Sequence, residues 1–341
     1  MNSSEPNPFC NTPLFIRHRK IDNRLFLAPM AGLGNVAFRE LVSDFGGFGL
    51  LFTGMCSAKA VPTENPAVST VFRWRKQELG HTVCQIFGAE PSAMGAAAER
   101  IEREGFFGVD LNFGCSAAAI CKKGCGAALL KTPDRCFHIV EEVRKRVSIP
   151  VFVKFRTGWE HNPESAVHLA KGFEGAGADL LVFHPRVAPD RRTRPPKWNH
   201  IRCVKEAVNV PVFGNGNIFD IADAGKMFRE TGCDGASIGR LAVAKPWIFA
   251  SIAGMPLPSE NLYRLTSLRM ARLLFTHFDE TTAVKQFKKW LPYFASNFKF
   301  SQNIFRKLVS CRTLASIENS VEAVFQSTPQ ISLRPNINLL G

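Results

Sequence analysis

Residues 108–158 read GVDLNFGCSAAAICKKGCGAALLKTPDRCFHIVEEVRKRVSIPVFVKFRTG. Two short apolar runs, GVDLNFG from Gly108 and VFVKFRTG from Val151, flank TPDRCFHIVEEVRKRV, which carries apolar residues at helical spacing. That is one strand–helix–strand unit, the connection a parallel sheet requires. The same rhythm extends outward in both directions. RLFLAPMAG begins at Arg24, LLFTGMCS at Leu50 and TVCQIFG at Thr82. LLVFHPR begins at Leu180, VPVFGNG at Val210 and DGASIGR at Asp234. The eight runs recur every 25 to 40 residues or so, enough for a strand and a crossover helix each. PSAMGAAAERIERE is a second legible helix. This predicts an α/β chain whose eight strand–helix units close near residue 245 into a (β/α)8 TIM barrel. The segment FIRHRKIDNRLFL before the first strand predicts a hairpin, with Asp22-Asn23 at the turn, placed to plug the barrel bottom.

The chain has 341 residues, 45% of them hydrophobic, which excludes disorder for most of it. Its 43 basic and 29 acidic residues leave a net charge of +14, which points to a polyanionic partner, nucleic acid first. Ten cysteines in a chain this long are better read as reduced thiols than as a disulfide scaffold. The start, MNSSEPNPFCNTPLFIRHRK, lacks the apolar stretch of a signal peptide. No apolar run approaches the roughly 18 residues of a membrane span. A cytoplasmic protein without a membrane partner is expected. After Pro256 the strand rhythm stops and glycine nearly disappears. We therefore expect a barrel over residues 1–254, followed by a smaller all-α domain over 255–341 that ends in a loose tail. From Arg264 to Arg312 there are ten basic residues and two acids, so much of the charge excess is concentrated there.

In such barrels the working residues lie at the C-terminal ends of the strands. Strand alternation turns Val151, Val153 and Phe155 toward the helices and sends Lys154 and Arg156 together into the mouth. Lys154 either pairs with Asp110 on the neighbouring strand or faces an anionic or electron-rich ligand. Gly214–Gly216, reading GNG, and the pair Gly239-Arg240 end the last two strands, where phosphate sites are commonly built. Ordinary tight turns are the plain alternative. Cys115 follows the fourth strand. A thiol there can give a proton, or attack if activated. Cys121 and Cys125 follow at C-x3-C spacing, without the C-x2-C pair or the histidine that a zinc site favours. Lys122 and Lys123 make this loop basic. Cys84, Cys136, Cys203 and Cys233 sit in apolar patterns and read as core. His184 and Arg186 share a strand face, and Arg191, Arg192, Arg194 and Lys197 follow. That cluster is either a solvated loop or a rim for phosphates.

LAPMAG (Leu27–Gly32), the Gln85 strand, NFGC (Asn112–Cys115), KKGCGAALL, VKFRTGW (Val153–Trp159), HPR, GNGN and IGR occur in one order. Together they resemble the tRNA-dihydrouridine synthases, flavoenzymes that reduce uridine in tRNA, over residues 14 to 250. The basic helical tail looks like that family's tRNA-binding domain. The resemblance implies FMN as cofactor and NADPH, or NADH, as reductant. It implies Pro29, Met30 and Ala31 lining the flavin, and Gln85 and Lys154 contacting its ring, with His184 near flavin and substrate. Asn215, Gly216, Asn217, Gly239 and Arg240 would hold the phosphate, and Cys115 would be the general acid. Asn112, Lys122, Lys123, Arg156, Arg186, Arg191 and Arg192 are the candidates for contact with tRNA. The implied protein acts on tRNA as a monomer, without an obligate protein partner.

The chain departs from the family pattern in the AAAI loop after Ser116, in APDRRTRPPKW where a Gln/Tyr/Gly pattern is usual, and at three further places. Ser116 stands where proline usually follows the cysteine, HPRV replaces an H-G-R-T pattern, and Asn217 replaces an acidic residue. These changes touch the substrate side more than the phosphate side. Two other readings stay open: a flavin-dependent reductase of a small enone or pyrimidine, and an RNA-binding protein with weakened chemistry.

Overall fold

The structure, a computed structural model, describes residues 10–188, 190, 194–258 and 261–336. β1 (Leu14–Ile16) and β2 (Arg19–Ile21) form the expected antiparallel hairpin. Its turn is at Arg17-His18, with Arg17 at φ 53°, and not at Asp22-Asn23. Asn23 has another task. Its Oδ1 accepts the Leu25 N–H at 2.8 Å, so the side chain turns the strand out of the hairpin and into the barrel.

The eight runs become nine strands: β3 (Leu25–Leu27), β4 (Leu51–Phe52), β5 (Cys56–Ser57), β6 (Thr82–Phe87), β7 (Gly108–Phe113), β8 (Val151–Gly158), β9 (Leu180–Val187), β10 (Val212–Asn215) and β11 (Gly235–Ile238). All barrel pairings are parallel. β11 returns to β3, and a bridge between Phe26 and Leu50 closes the ring. The run from Leu50 splits in two because four steps lead from Phe52 to Cys56, against three from Val83 to Ile86 on β6. The extra residue leaves the ladder as a bulge. The helices expected at PSAMGAAAERIERE and TPDRCFHIVEEVRKRV span Pro91–Glu104 and Pro133–Arg146. Each has proline in its first turn, where no N–H is missed.

Alternation along the strands sorts the side chains into an outer shell and two inner layers. Val151, Val153 and Phe155 of β8 pack outward against the helices, as expected. The lower inner layer is apolar: Phe26, Phe52, Val83, Phe152, Val182 and Phe213, with Ile16 and Ile21 of the hairpin below. Phe26 and Phe213 stack at 3.9 Å. The hairpin thus plugs the bottom. Two residues further along, β6, β8, β9 and β10 turn polar at Gln85, Lys154, His184 and Asn215, with Asp110 of β7 beside Gln85 and Ser237 of β11 beside Asn215, whereas β3 and β4 lead to Ala28 and Gly54. The functional floor rests on this step from oil to polar groups.

Helices Leu262–His277, Glu280–Ala295, Ser301–Val309 and Leu314–Gln326 follow the barrel. Trp290 is fully buried and donates its indole N–H to Val243 O at 2.9 Å. Arg269 reaches Asp44 at 2.8 Å, and His277 reaches Glu40 at 2.6 Å, both on barrel helix Val36–Phe45. Residues 331–336, expected as part of a loose tail, are tied back. Ser332 N–H donates to Asn297 O, Asn336 N–H to Ser296 O, and Arg334 pairs with Asp220 at 2.7 Å. Among the described residues no helix is long and apolar enough to cross a membrane.

Candidate active site

A cavity of about 490 Å³ opens at the C-terminal ends of the strands. Pro29, Met30, Ala31, Gln85, Asn112, Cys115, Lys154, Arg156, His184, Arg186, Asn215, Gly216, Asn217, Gly239 and Arg240 all line it. Fifteen positions spread over more than 200 residues of sequence thus meet around one space.

Its floor is a directed chain of hydrogen bonds. The Gln85 amide donates to Asp110 Oδ2 at 2.6 Å, and Gln85 Oε1 accepts from Asn112 Nδ2 at 2.9 Å. Asn112 Oδ1 in turn accepts the N–H of Gly114 at 3.2 Å and of Cys115 at 2.9 Å. The loop carrying Cys115 is therefore fastened to a carboxyl at the barrel centre. Asp110 is wholly buried, and burial pushes its carboxyl up toward neutrality, against the pull of Gln85 and Lys154. The same burial pulls the Lys154 ammonium down. Lys154 Nζ lies 3.1 Å from Asn215 Oδ1, and Asn215 Nδ2 donates to Ser237 O at 2.6 Å. Among the described residues no ion pair closes between Lys154 and Asp110, so Lys154 meets the cavity from an amide partner and not from a salt bridge.

The opposite corner concentrates positive charge. Asn217, at φ 54°, offers one Oδ1 to Arg186 at 3.1 Å and to Arg240 at 3.0 Å. Gly216 has φ 127°, a conformation natural to glycine, and a Cβ there would lie 3.1 Å from His184 Cδ2. A Cβ on Gly239 would lie 2.9 Å from Met30 Sδ. Both glycines line the cavity, and neither has room for a side chain. Arg186 Nη1 stands 3.2 Å from His184 Nε2, and since a guanidinium can only donate, that nitrogen accepts. Burial, followed by Lys154, Arg156, Arg186 and Arg240, lowers the His184 pKa well below its usual value, so the ring is neutral. Burial also draws Arg186 down to about 10, which leaves it charged at neutral pH. Arg156 Nε donates to Gly114 O at 2.5 Å and its Nη1 to Val187 O at 3.2 Å, which braces the cysteine loop against β9.

The sequence profile of the dihydrouridine synthase family matches residues 26–331. This chain belongs to that family. Among curated relatives, tRNA-dihydrouridine synthase B of Pseudomonas aeruginosa is 34% identical over 262 residues, 75% of this chain and 78% of the relative. The Klebsiella pneumoniae protein of the same name is 36% identical over 265 residues, 78% and 82% of the two chains. Of solved structures, the old yellow enzyme from Trypanosoma cruzi superposes with a TM-score of 0.55 at 12% identity, covering 74% of this chain and 93% of its own. Morphinone reductase in complex with tetrahydroNAD gives 0.52 at 13% identity, covering 75% and 94%. At that identity these two carry the fold alone, a TIM barrel.

In this dihydrouridine synthase family member, the remaining candidates fall in different places. Arg186, a candidate for contact with tRNA, is buried at the cationic corner beside Asn217, on the inner face of β9 that it shares with His184 as expected. Lys122 and Lys123 line no part of the cavity. They are exposed in the turn after the short helix Ala118–Cys121. Arg191 and Arg192 lie outside the described residues. Cys203 is half-buried and not core, unlike Cys84, Cys136 and Cys233. Of the ten cations in Arg264–Arg312, Arg264, Arg269 and Arg272 are taken up by Glu322, by Asp44 with Glu40, and by Glu318. Lys285, Lys289, Lys299, Arg306, Lys307 and Arg312 are exposed and make no ion pair among the described residues. Sequence reasoning missed Met55 and Tyr293, which also line the cavity. Neither carries a local signal: Met55 follows a strand among small residues, and Tyr293 lies in a helix far along the chain.

Proposed function

We propose that the protein reduces the C5=C6 bond of uridine in tRNA to 5,6-dihydrouridine, with FMN as resident cofactor and NADPH, or NADH, as its reductant. One observation carries this reading: a single cavity joins a cationic phosphate corner to a thiol held by a buried hydrogen-bond chain. The residues present fit FMN. Gly216 and Gly239 line the cavity without side chains, while Arg186 and Arg240, already aligned on Asn217, supply charge for a phosphate. Pro29, Met30, Ala31, Gln85, Lys154 and His184 would border the ring system. When bound, the reduced flavin supplies the hydride that adds to C6 of the base.

Hydride at C6 leaves an electron pair at C5, conjugated with the C4 carbonyl. The Cys115 S–H gives its proton to C5, and the thiolate then regains a proton from solvent. Lys154 offers its charge to negative charge that develops in the cavity. Neutral His184 adds no further charge to a corner already crowded with guanidinium groups. The target nucleotide must leave the tRNA fold, which costs a few kcal/mol. The exposed cations of the C-terminal helices offset that cost by binding the RNA backbone, and we assign residues 255–341 this role. The reading implies a cytoplasmic monomer. The test is direct: flavin-loaded protein, NADPH and unmodified tRNA transcripts, with dihydrouridine measured by mass. Accumulation in tRNA, and none with free uridine, supports the proposal. Reduction of free pyrimidines or enones with tRNA untouched would replace it with the small-molecule reading.

A further inference from the structure

The cavity wall is built by the barrel with one exception among the described residues: Tyr293, from helix Glu280–Ala295. It is one of two tyrosines in the chain, and its hydroxyl makes no hydrogen bond among the described residues. One turn earlier on the same helix face lies Lys289. Its ammonium sits against Gly32, in the loop that carries Pro29, Met30 and Ala31, so closely that a Cβ on Gly32 would collide with Nζ. Gly32 has φ 68°, so the loop already needs glycine there. Lys289 is exposed and makes no ion pair among the described residues.

The helix is not free to swing these groups away. Trp290 fastens it to Val243 O, and Gln286 Oε1 accepts from Asn35 Nδ2 at 3.4 Å. Asn35 is itself the N-cap of helix Val36–Phe45, accepting the Phe38 N–H at 3.0 Å. The helix thus sets Tyr293 in the cavity wall and Lys289 against the Gly32 loop beside it, four residues and about 6 Å of helix rise apart. No fold-level need accounts for a lysine ammonium over Gly32, where it gains no carboxylate partner.

We propose that Lys289 and Tyr293 form the helical half of the nucleotide site: Tyr293 packs on the nucleoside that enters the mouth, and Lys289 binds the adjoining phosphodiester. This inference rests on the reading of the cavity as a site for uridine in tRNA. A phenol suits the part because it gives a flat face for a base and a polar tip for a ribose or base edge. An ammonium suits a phosphate as a point charge. The two residues make the helices part of the reacting site itself, in addition to any grip on distant RNA.

The test uses the full-length, flavin-loaded protein and measures tRNA affinity across a salt series for wild type, Lys289→Ala and Lys289→Arg. Removing one phosphate contact lowers the slope of log affinity against log salt by about 1. Lys289→Ala is expected to show that drop and a three- to tenfold weaker affinity near 0.1 M salt. Lys289→Arg is expected to restore both. Flavin content, and the rate of flavin reduction by NADPH without tRNA, should not change. Tyr293→Ala should slow dihydrouridine formation at saturating tRNA about tenfold, with Tyr293→Phe closer to wild type. An unchanged salt slope in Lys289→Ala, with wild type active on tRNA, overturns this inference alone. Loss of flavin from Lys289→Ala also overturns it, since the lysine would then serve the cofactor. A wild type inactive on tRNA overturns both this inference and the functional reading beneath it.

Discussion

Replacing Asn112 by alanine should uncouple Cys115 from the barrel floor. The side chain makes four hydrogen bonds: Oδ1 accepts from the N–H groups of Gly114 and Cys115, and Nδ2 donates to Gln85 Oε1 and to Met55 Sδ. Alanine leaves two backbone donors and one amide oxygen without partners. Each such group costs about 1–3 kcal/mol when it stays dry, less where water enters. Because the cavity lies alongside, water recovers part of this, and we expect a loss of about 2–4 kcal/mol in unfolding free energy. The larger effect is on chemistry. A displacement of about 1 Å at a reacting group can cost on the order of 10²-fold in rate. Asn112→Ala should therefore cut single-turnover formation of dihydrouridine by about two orders of magnitude in protein that still binds flavin. Asn112→Asp is an informative companion. It keeps the acceptor for both N–H groups but cannot donate to Gln85, whose other end is committed to Asp110. It should fall between wild type and alanine. Urea unfolding of the flavin-free protein and rapid-quench turnover of the loaded protein provide the two readouts. A folded Asn112→Ala protein with the wild-type single-turnover rate would refute the claim that this chain positions the cysteine.

Three further outcomes follow from the geometry. Gly216→Ala, strained at φ 127° and crowded by His184, should purify with little flavin, which absorbance of the fresh protein measures; full flavin content would contradict the phosphate corner. Arg39→Met removes a buried guanidinium that meets Glu78 Oε1 at 2.6 Å and Gly34 O at 2.8 Å. Breaking such a pair costs about 3–5 kcal/mol, moderated here because Arg75 still reaches Glu78 at 3.2 Å, and adding Glu78→Gln should recover part of it in denaturant titrations. His184 is held neutral in the fold, so below its unfolded pKa near 6.5 the unfolded chain binds a proton that the folded one does not. In flavin-free protein the stability difference between wild type and His184→Gln should thus shift against wild type as pH falls from 7 to 5, and a pH-independent difference would count against a neutral histidine.

The barrel was legible in the sequence because each strand announces itself locally. Runs such as VFVKFRTG carry their alternation within eight residues, and the outward Val153 with inward Lys154 follow from it directly. The cavity residues at strand ends were legible for the same reason. What stayed hidden depended on contacts between distant parts. The hairpin turns at Arg17-His18, while Asn23 bonds to the backbone at the start of β3, a contact that the local sequence does not announce. The face that Arg186 shares with His184 is legible, but its partner Asn217 is not, because that residue comes from the loop after β10. The basic helices look uniformly free until Asp44, Glu40, Glu318 and Glu322 take three of their arginines. Tyr293 reaches the cavity, and Lys289 the Gly32 loop beside it, only through the packing of a helix far along the chain.

The central claim is that Cys115 delivers the proton in a flavin-dependent reduction of tRNA uridine. Its most direct test compares wild type with Cys115→Ala, both reduced beforehand by NADPH, in a single turnover against unmodified tRNA. The account predicts equal flavin content, equal rates of flavin reduction and similar tRNA affinity, with dihydrouridine forming at least about 10²-fold more slowly in the variant. Equal rates of dihydrouridine formation in the two proteins would contradict it.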